Sequence, residues 1–479
     1  MRPVIEQLDN VPEPEDIVRA LGERPGVQML RSRMFQFESS RISLIVAEPF
    51  LTFRSYGSRC EISIDGELKT TFGNPWAVLD LLMGRFELPD EADCPFPLGG
   101  AFGYWGYDLK CFVESRAITR AVNDLQIPDC HVGFHDSLIV IDHKKNTGVI
   151  ISTGQTATGD RCPEKAIEQA TFWKGIVDKA MTIPMEIEPE KLNQHSNPPD
   201  YTSSLSRAEY IAAVEKANDY IHQGDIYQVN ISRRITCNAP CSPWAFYQSI
   251  SNLSPAPYGG WLDAGDFQII SNSPEQFLKM SGSHIRTRPI KGTRPRSSDP
   301  TRDAQLAYEL QTSEKEQAEL LMITDLLRND LGRICEYGSI RVPELLKLEK
   351  FSHVHHQVST VEGELRGDLS HFKAFAQCFP GGSITGAPKI RSMQVIDELE
   401  SVSRGPYTGS MGYIGFNRES QLNIAIRITV AHNGQFHFHA GSGIVADSEA
   451  AAEFEETNHK AAAFFQAMER QTINSPKKV

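Results

Sequence analysis

The sequence predicts an α+β fold of antiparallel β-sheets, sandwiched together and covered by helices. Two observations carry that expectation. Short apolar runs such as "RISLIVAEPFLTF" (41–53) and "SLIVIDH" (137–143) recur between turn residues, as strands do. Helical periodicity is confined to a few segments, so strands outnumber helices and helices cover them.

At 479 residues and 53.5 kDa the chain exceeds the roughly 250–300 residues at which one core stops growing, so two domains or one large double-layered body is expected. A net charge of −13 argues against wholesale binding to nucleic acid or an anionic membrane, which need a broad positive face. The nine cysteines form no CxxC pair and no zinc-like spacing, and read as reduced. The first residues lack the apolar core of a secretory signal and no later stretch offers roughly 20 apolar residues, so a cytoplasmic protein is expected.

Taken in order, residues 1–181 form a strand-rich amino-terminal region. Within it, "LGGAFGYWGYD" (98–108) interleaves glycines with aromatics and reads as a bulged core strand, backbone packed on rings. Residues 182–204, rich in Pro, Ser, Asn and Glu, read as a linker. The second region, 205–468, opens on a helix over 207–223: Ser206 and Glu209 have capping-box spacing, Ile211, Val214 and Ile221 share a face, and Gly224 stops it. Strand-like segments follow, broken by a helix near 314–328 and a glycine loop. A last helix near 449–469 precedes a tail, 469–479.

The chemistry concentrates in this second region. "PIKGTRPR" (289–296) puts Lys291 among Arg286, Arg288, Arg294 and Arg296, where like charge penalises a protonated amine and favours a nucleophile; a basic surface turn is the plainer reading. Glu316 and Glu319 share one helical face, as do Glu453 and Glu456. Facing acids on two helices suit Mg²⁺, with Glu319 and Glu456 the stronger candidates because Glu316 also fits a capping box with Ser313; a solvated acidic face is the alternative. "FPGGSITGAPKIRSMQVIDELE" (379–400) runs from a glycine loop into a helix whose amides could hold an anion, yet it lacks the P-loop pattern. Tyr407, Arg427 and Lys460 add a phenol and two cations.

These pieces occur together and in one order. "SPEQF", "PIKGTRPR", "KEQAELLMITDLLRNDLGR", "HHQVSTVEGEL", "GGSITGAPK", "RGPYTGSMGY", "IAIRI" and "AGSGIVADSEAAAEFEETNHK" closely resemble the chorismate-utilising enzymes, which include anthranilate synthase component I, aminodeoxychorismate synthase component I and the isochorismate and salicylate synthases. The resemblance spans residues 205–468 and, more weakly, "FESS" (37–40) and "GGAFGYWGYD". It implies an anthranilate synthase component I-like fold and a Mg²⁺-dependent attack on chorismate, the metal held by Glu319 and Glu456 with Glu316 and Glu453 behind them. It further implies Glu275 as general acid with a raised pKa, and His356, Thr293, Thr385, Gly386, Tyr407, Arg427, Gly441, Ser442, Gly443 and Lys460 around the substrate.

Within that family, hydrolytic members activate water with a lysine where this chain has Gln228, and anthranilate synthases carry a small residue where it has Lys291. A lysine there resembles the aminodeoxychorismate synthase pattern, in which its amine attacks C2 and ammonia then displaces it from C4. The expected product is 4-amino-4-deoxychorismate, on the way to 4-aminobenzoate and folate. The nine cysteines include no glutaminase-like elbow, so the ammonia is expected from a partner glutamine amidotransferase. Anthranilate synthase component I is the rival enzyme, and a catalytically silent subunit binding chorismate or tryptophan is the rival of another class. "FESS" and "SPAPYGG" (254–260) also resemble the family's tryptophan pocket, implicating Ser39, Pro257, Tyr258 and Gly259.

Overall fold

The computed structural model describes residues 2–34, 41–88, 94–183, 200–351 and 354–474, with side chains to 471. Two large antiparallel sheets pack face to face. Along the first run Val4–Leu8, Thr147–Ser152, Ser137–Asp142, Ile42–Val46, Gln28–Arg31, Tyr258–Asp263, Phe267–Ser273, Ile428–His432, Gln435–Ile444, Gln228–Asn238 and Tyr201–Ser203. Along the second run Ile290–Pro295, Val354–Glu364, His284–Arg288, Gln276–Ser281, Glu419–Asn423, Ser410–Gly415, Gly100–Trp105, Cys130–His135, Leu51–Tyr56, Arg59–Ile64 and Glu67–Phe72. Both regions read from the sequence supply strands to each sheet, so the stretch 182–204 joins parts of one body. Its end, Tyr201–Ser203, is itself a strand on Gln228–Asn238.

Between the sheets lies an apolar layer containing Tyr104, Phe267, Ile269, Met411 and Val430. Helices Pro14–Leu21, Pro163–Thr182, Pro243–Leu253 and Ala450–Asn474 cover the outer face of the first sheet; Pro75–Met83, Glu314–Gly332 and His371–Cys378 cover that of the second. The result is the expected helix-covered sandwich. Each fully buried large side chain, such as Trp105 or Trp173, contributes on the order of 1.5–3 kcal/mol by leaving water.

Local chemistry explains the elements the sequence marked. Helix Arg207–His222 has its full capping box: Ser206 accepts from the Glu209 amide, and Glu209 accepts from that of Ser206. Strand Gly100–Trp105 pairs in unbroken register on both sides, so the expected bulge is absent. Its glycines serve close approach instead: a Cβ on Gly103 would lie 2.0 Å from the His131 carbonyl oxygen.

Candidate active site

Where strand Ile290–Pro295 meets helices Glu314–Gly332 and Ala450–Asn474, the body opens into a cleft of about 840 Å³. The strand reaches it through an irregularity. Lys291 pairs with Gln357 and Thr293 with His356, so two steps on one strand oppose one on the other. Gly292 makes the kink possible: its φ is +68°, and a Cβ there would lie 2.5 Å from Leu310 Cδ1. Consecutive residues Lys291, Gly292, Thr293 and Arg294 therefore all line the cleft instead of alternating sides.

Lys291 Nζ stands 4.0 Å from Glu319 Oε2, and 4.0 Å from where a Cβ on Gly443 would be. Beside it Glu275, 6% exposed, accepts hydrogen bonds from the Ser383 hydroxyl and the Ile290 amide. Burial pushes its carboxyl up to about 7, against the smaller opposing pull of Ser383, Lys291 and the amide. A carboxylic acid is thus available near neutrality, bonded to the residue just before the lysine.

On another wall, Thr293 Oγ1 lies 3.0 Å from His356 Nδ1, and the ring also bonds the Gly292 backbone. Burial, then the charge of Arg427, lower His356 to about 4, so the imidazole is neutral. Arg427 has φ +53°, a conformation unusual for a side chain of its size, and no carboxylate among the described residues pairs with it. Arg427 is half-buried, and the loss of water around its guanidinium lowers its pKa, so it favours an anionic partner. Tyr407, hydrogen-bonded to the Asn230 side chain, stacks on His439 at 5.0 Å and 21°. Lys460 donates to the Gly441 carbonyl at 2.9 Å and pairs with Glu456 at 2.7 Å.

The four acids read from the sequence all line this cleft. Burial raises the Glu319 carboxyl; Lys291 and Lys315 oppose this, while Glu316 and Glu456 reinforce it. Burial pushes Glu456 up as well, but Lys460 beside it, with Lys291 and Lys315, more than reverses the shift. Glu453 Oε1 accepts from Ser448, and its Oε2 is buried without a partner. Glu316 pairs with Arg294. These are oxygen donors only, one of them orphaned, and they fit a hard divalent cation, although no three metal-ligating side chains among the described residues converge on one point.

Residues 40–466 match the family model described as chorismate binding enzyme. The chain belongs to that family. It is 36% identical over 452 residues to aminodeoxychorismate synthase component 1 of Escherichia coli, covering 94% of this chain and 95% of that one. It is also 36% identical over 433 residues to anthranilate synthase component 1 of Acetivibrio thermocellus, covering 90% and 87%. The crystal structure of anthranilate synthase component I from Streptococcus pneumoniae superposes with a TM-score of 0.77 at 31% identity, covering 89% of this chain and 92% of that one.

Three expected substrate contacts of this chorismate-binding enzyme turn away from the cleft. Ser442 lies between Gly441 and Gly443 on one strand, and the pleat that aims its neighbours inward sends its fully buried hydroxyl to Tyr210. Thr385 bonds back to the Gly381 and Gly382 carbonyls. Gly386 pairs with Val229, its α-carbon packed against the Gln228 carbonyl; Ser383 and Ile384 line the cleft in their place. The expected arginine ring around Lys291 is also corrected. Arg288 pairs with Glu349, Arg296 with Asp303 and Arg294 with Glu316, and Arg286 does not line the cleft.

Pro257, Tyr258 and Gly259 line a separate, smaller pocket with Arg31, Phe96 and Met411. Ser39 lies outside the described residues. Sequence reasoning missed Ser383, Asn230, Lys315 and His439, all on the cleft wall. Ser383 and Lys315 had a signal, because they stand in the quoted glycine loop and helix motif; Asn230 and His439 sit on strands whose facing only pairing determines.

Proposed function

We propose that this chorismate-binding enzyme aminates chorismate at C4, giving 4-amino-4-deoxychorismate on the route to 4-aminobenzoate and folate, through a covalent adduct on Lys291. The observation that carries the reading is the pairing of an amine with a carboxyl pushed up to about 7, joined through the Ile290 amide inside one cleft. The Lys291 nitrogen forms a bond to C2, both conjugated ring double bonds shift one position, and the C4–O bond breaks. Glu275 delivers its proton to the departing oxygen, water leaves, and the attacking amine gives up a proton. Ammonia then bonds to C4, both double bonds shift back, and the C2–nitrogen bond breaks to return the lysine, which takes up the proton that the new C4 amine gives up. Two allylic displacements put the new amino group at C4, which one attack at C2 cannot do.

Around the ring, Arg427 and Lys460 would bind carboxylates, while neutral His356, held by Thr293, and the close-packed Gly441 and Gly443 backbone would fix its plane. Glu319 and Glu456, with Glu316 and Glu453 behind them, would hold Mg²⁺. When bound, that ion would anchor the ring carboxylate and offset developing charge.

The relatives named above are component 1 proteins, which supports a second component: a glutamine amidotransferase supplying ammonia. We also assign the pocket of Pro257, Tyr258 and Gly259 to tryptophan. Product analysis with ammonium chloride and Mg²⁺ tests the reading. A non-fluorescent product that a separate lyase converts to 4-aminobenzoate supports it; fluorescent anthranilate would assign the chain to the rival reaction.

A further inference from the structure

Behind the stacked rings of Tyr407 and His439 lies a second cavity, of about 20 Å³. That is room for one molecule the size of water or ammonia. The two rings line both this cavity and the large cleft, so they are the partition between them. Its other end is formed by Asn123 and Asp124, both exposed, with Asp124 held by a two-pronged ion pair to Arg234. Two polar atoms in its wall are buried without partners: Nδ1 of His439, a residue 7% exposed, and Nε of Arg234, also 7% exposed. A closed core rarely leaves a buried donor and a buried acceptor unused.

We infer that this cavity is a station for neutral ammonia, which enters at Asn123 and Asp124 and reaches the cleft between Tyr407 and His439. The inference rests on the amination reading and specifies the route of its nitrogen. Ammonia suits the two orphaned atoms: its lone pair accepts from Arg234 Nε–H, and its N–H groups donate to a bare His439 Nδ1. Burial keeps that imidazole uncharged. Ammonium suits them poorly, because it has no lone pair to accept from Arg234 Nε–H. Water matches ammonia in size, so the test must read nitrogen transfer.

Leu125 lines the cavity from the exposed segment and takes no part in the cleft. In the complex with the amidotransferase subunit, the readout is aminated chorismate formed per glutamine hydrolysed. A parallel assay replaces glutamine with ammonium chloride at pH 8.5, where free ammonia enters through the open cleft. Leu125→Trp, which fills the cavity, is expected to lower product per glutamine at least fivefold while ammonium-driven turnover stays within twofold. Leu125→Ala is expected to couple as the wild type does. Unchanged coupling in Leu125→Trp, or an equal fall in both assays, would assign the cavity to water and overturn the inference while leaving amination intact. A wild type that fails to aminate chorismate with ammonium chloride would sink the amination reading itself, and the route with it.

Discussion

The chain builds two different recesses from neighbouring residues. Ser254 lines the large cleft, and three residues on, Pro257, Tyr258 and Gly259 line the smaller pocket. In the cleft, unlike charges crowd together and ionisation is displaced: Glu275 is pushed up to about 7, His356 is held down to about 4, and half-buried Arg427 lines the same wall with its pKa lowered. The pocket is edged by prolines, Phe96, Tyr258 and Met411, and the Tyr258 hydroxyl is already taken by Gln276 at 3.1 Å. Displaced ionisation marks the place where bonds change. A rim of rigid rings and prolines marks one where a shape is recognised.

The largest break in that contrast should come from Glu275→Gln. Removing the proposed general acid is expected to lower kcat by roughly 10²–10⁴-fold with the fold intact, in steady-state assays with ammonium chloride. The same residue sets a pH dependence: kcat should fall as pH rises through about 7, and the fall should be absent from the residual activity of the variant. Stability follows the same sign. A carboxyl raised from 4.5 to about 7 holds its proton more tightly in the folded state, so its contribution is complete below 4.5 and is lost as pH rises through 7. Glu275→Gln should therefore be more stable to denaturant than the wild type at pH 8, by up to about 3 kcal/mol, and show no gain at pH 4.

Glu319→Gln comes next. Isothermal titration of chorismate with Mg²⁺ should find affinity reduced about 10–100-fold, and the shortfall in Mg²⁺-free buffer should be far smaller. Thr293→Val frees the His356 ring from its 3.0 Å partner. A lost hydrogen bond of about 1 kcal/mol should cost roughly fivefold in kcat/KM. The smallest effect belongs to the pocket: saturating L-tryptophan should raise the wild-type Tm by a few degrees, and Tyr258→Ala should abolish that rise and change turnover less than threefold. A variant that moved turnover as far as Glu275→Gln does would erase the distinction between the two recesses.

Local signals were legible where the physics is local. The capping box at Ser206 and Glu209 marked where its helix begins, although the buried face is Tyr210, Ala213, Val214 and Ala217, with Ile211 and Ile221 only half-buried. Ordered motifs named Lys291, Glu275, His356 and the four acids, and the cleft gathers them all. What the sequence hid depends on pairing between distant segments. Ser442 fails as a contact because strand register, set by Gln228–Asn238, decides which side of the pleat it takes. The arginines near Lys291 find carboxylates at 303, 316 and 349, partners that proximity in sequence does not announce. Helix Pro163–Thr182 escaped notice because Ala166, Ala170 and Ala180 make much of its buried stripe and give little apolar contrast, although Pro163 sits where helices begin.

The central claim is that the Lys291 nitrogen bonds to the substrate. Intact-mass spectrometry of the protein with chorismate and Mg²⁺, without ammonia, tests it directly, with Lys291→Ala measured in parallel. We expect the wild type to gain the mass of chorismate less one water and the variant to gain nothing. Wild-type protein that never gains that mass, together with a variant that still aminates C4 at the wild-type rate, would contradict the account.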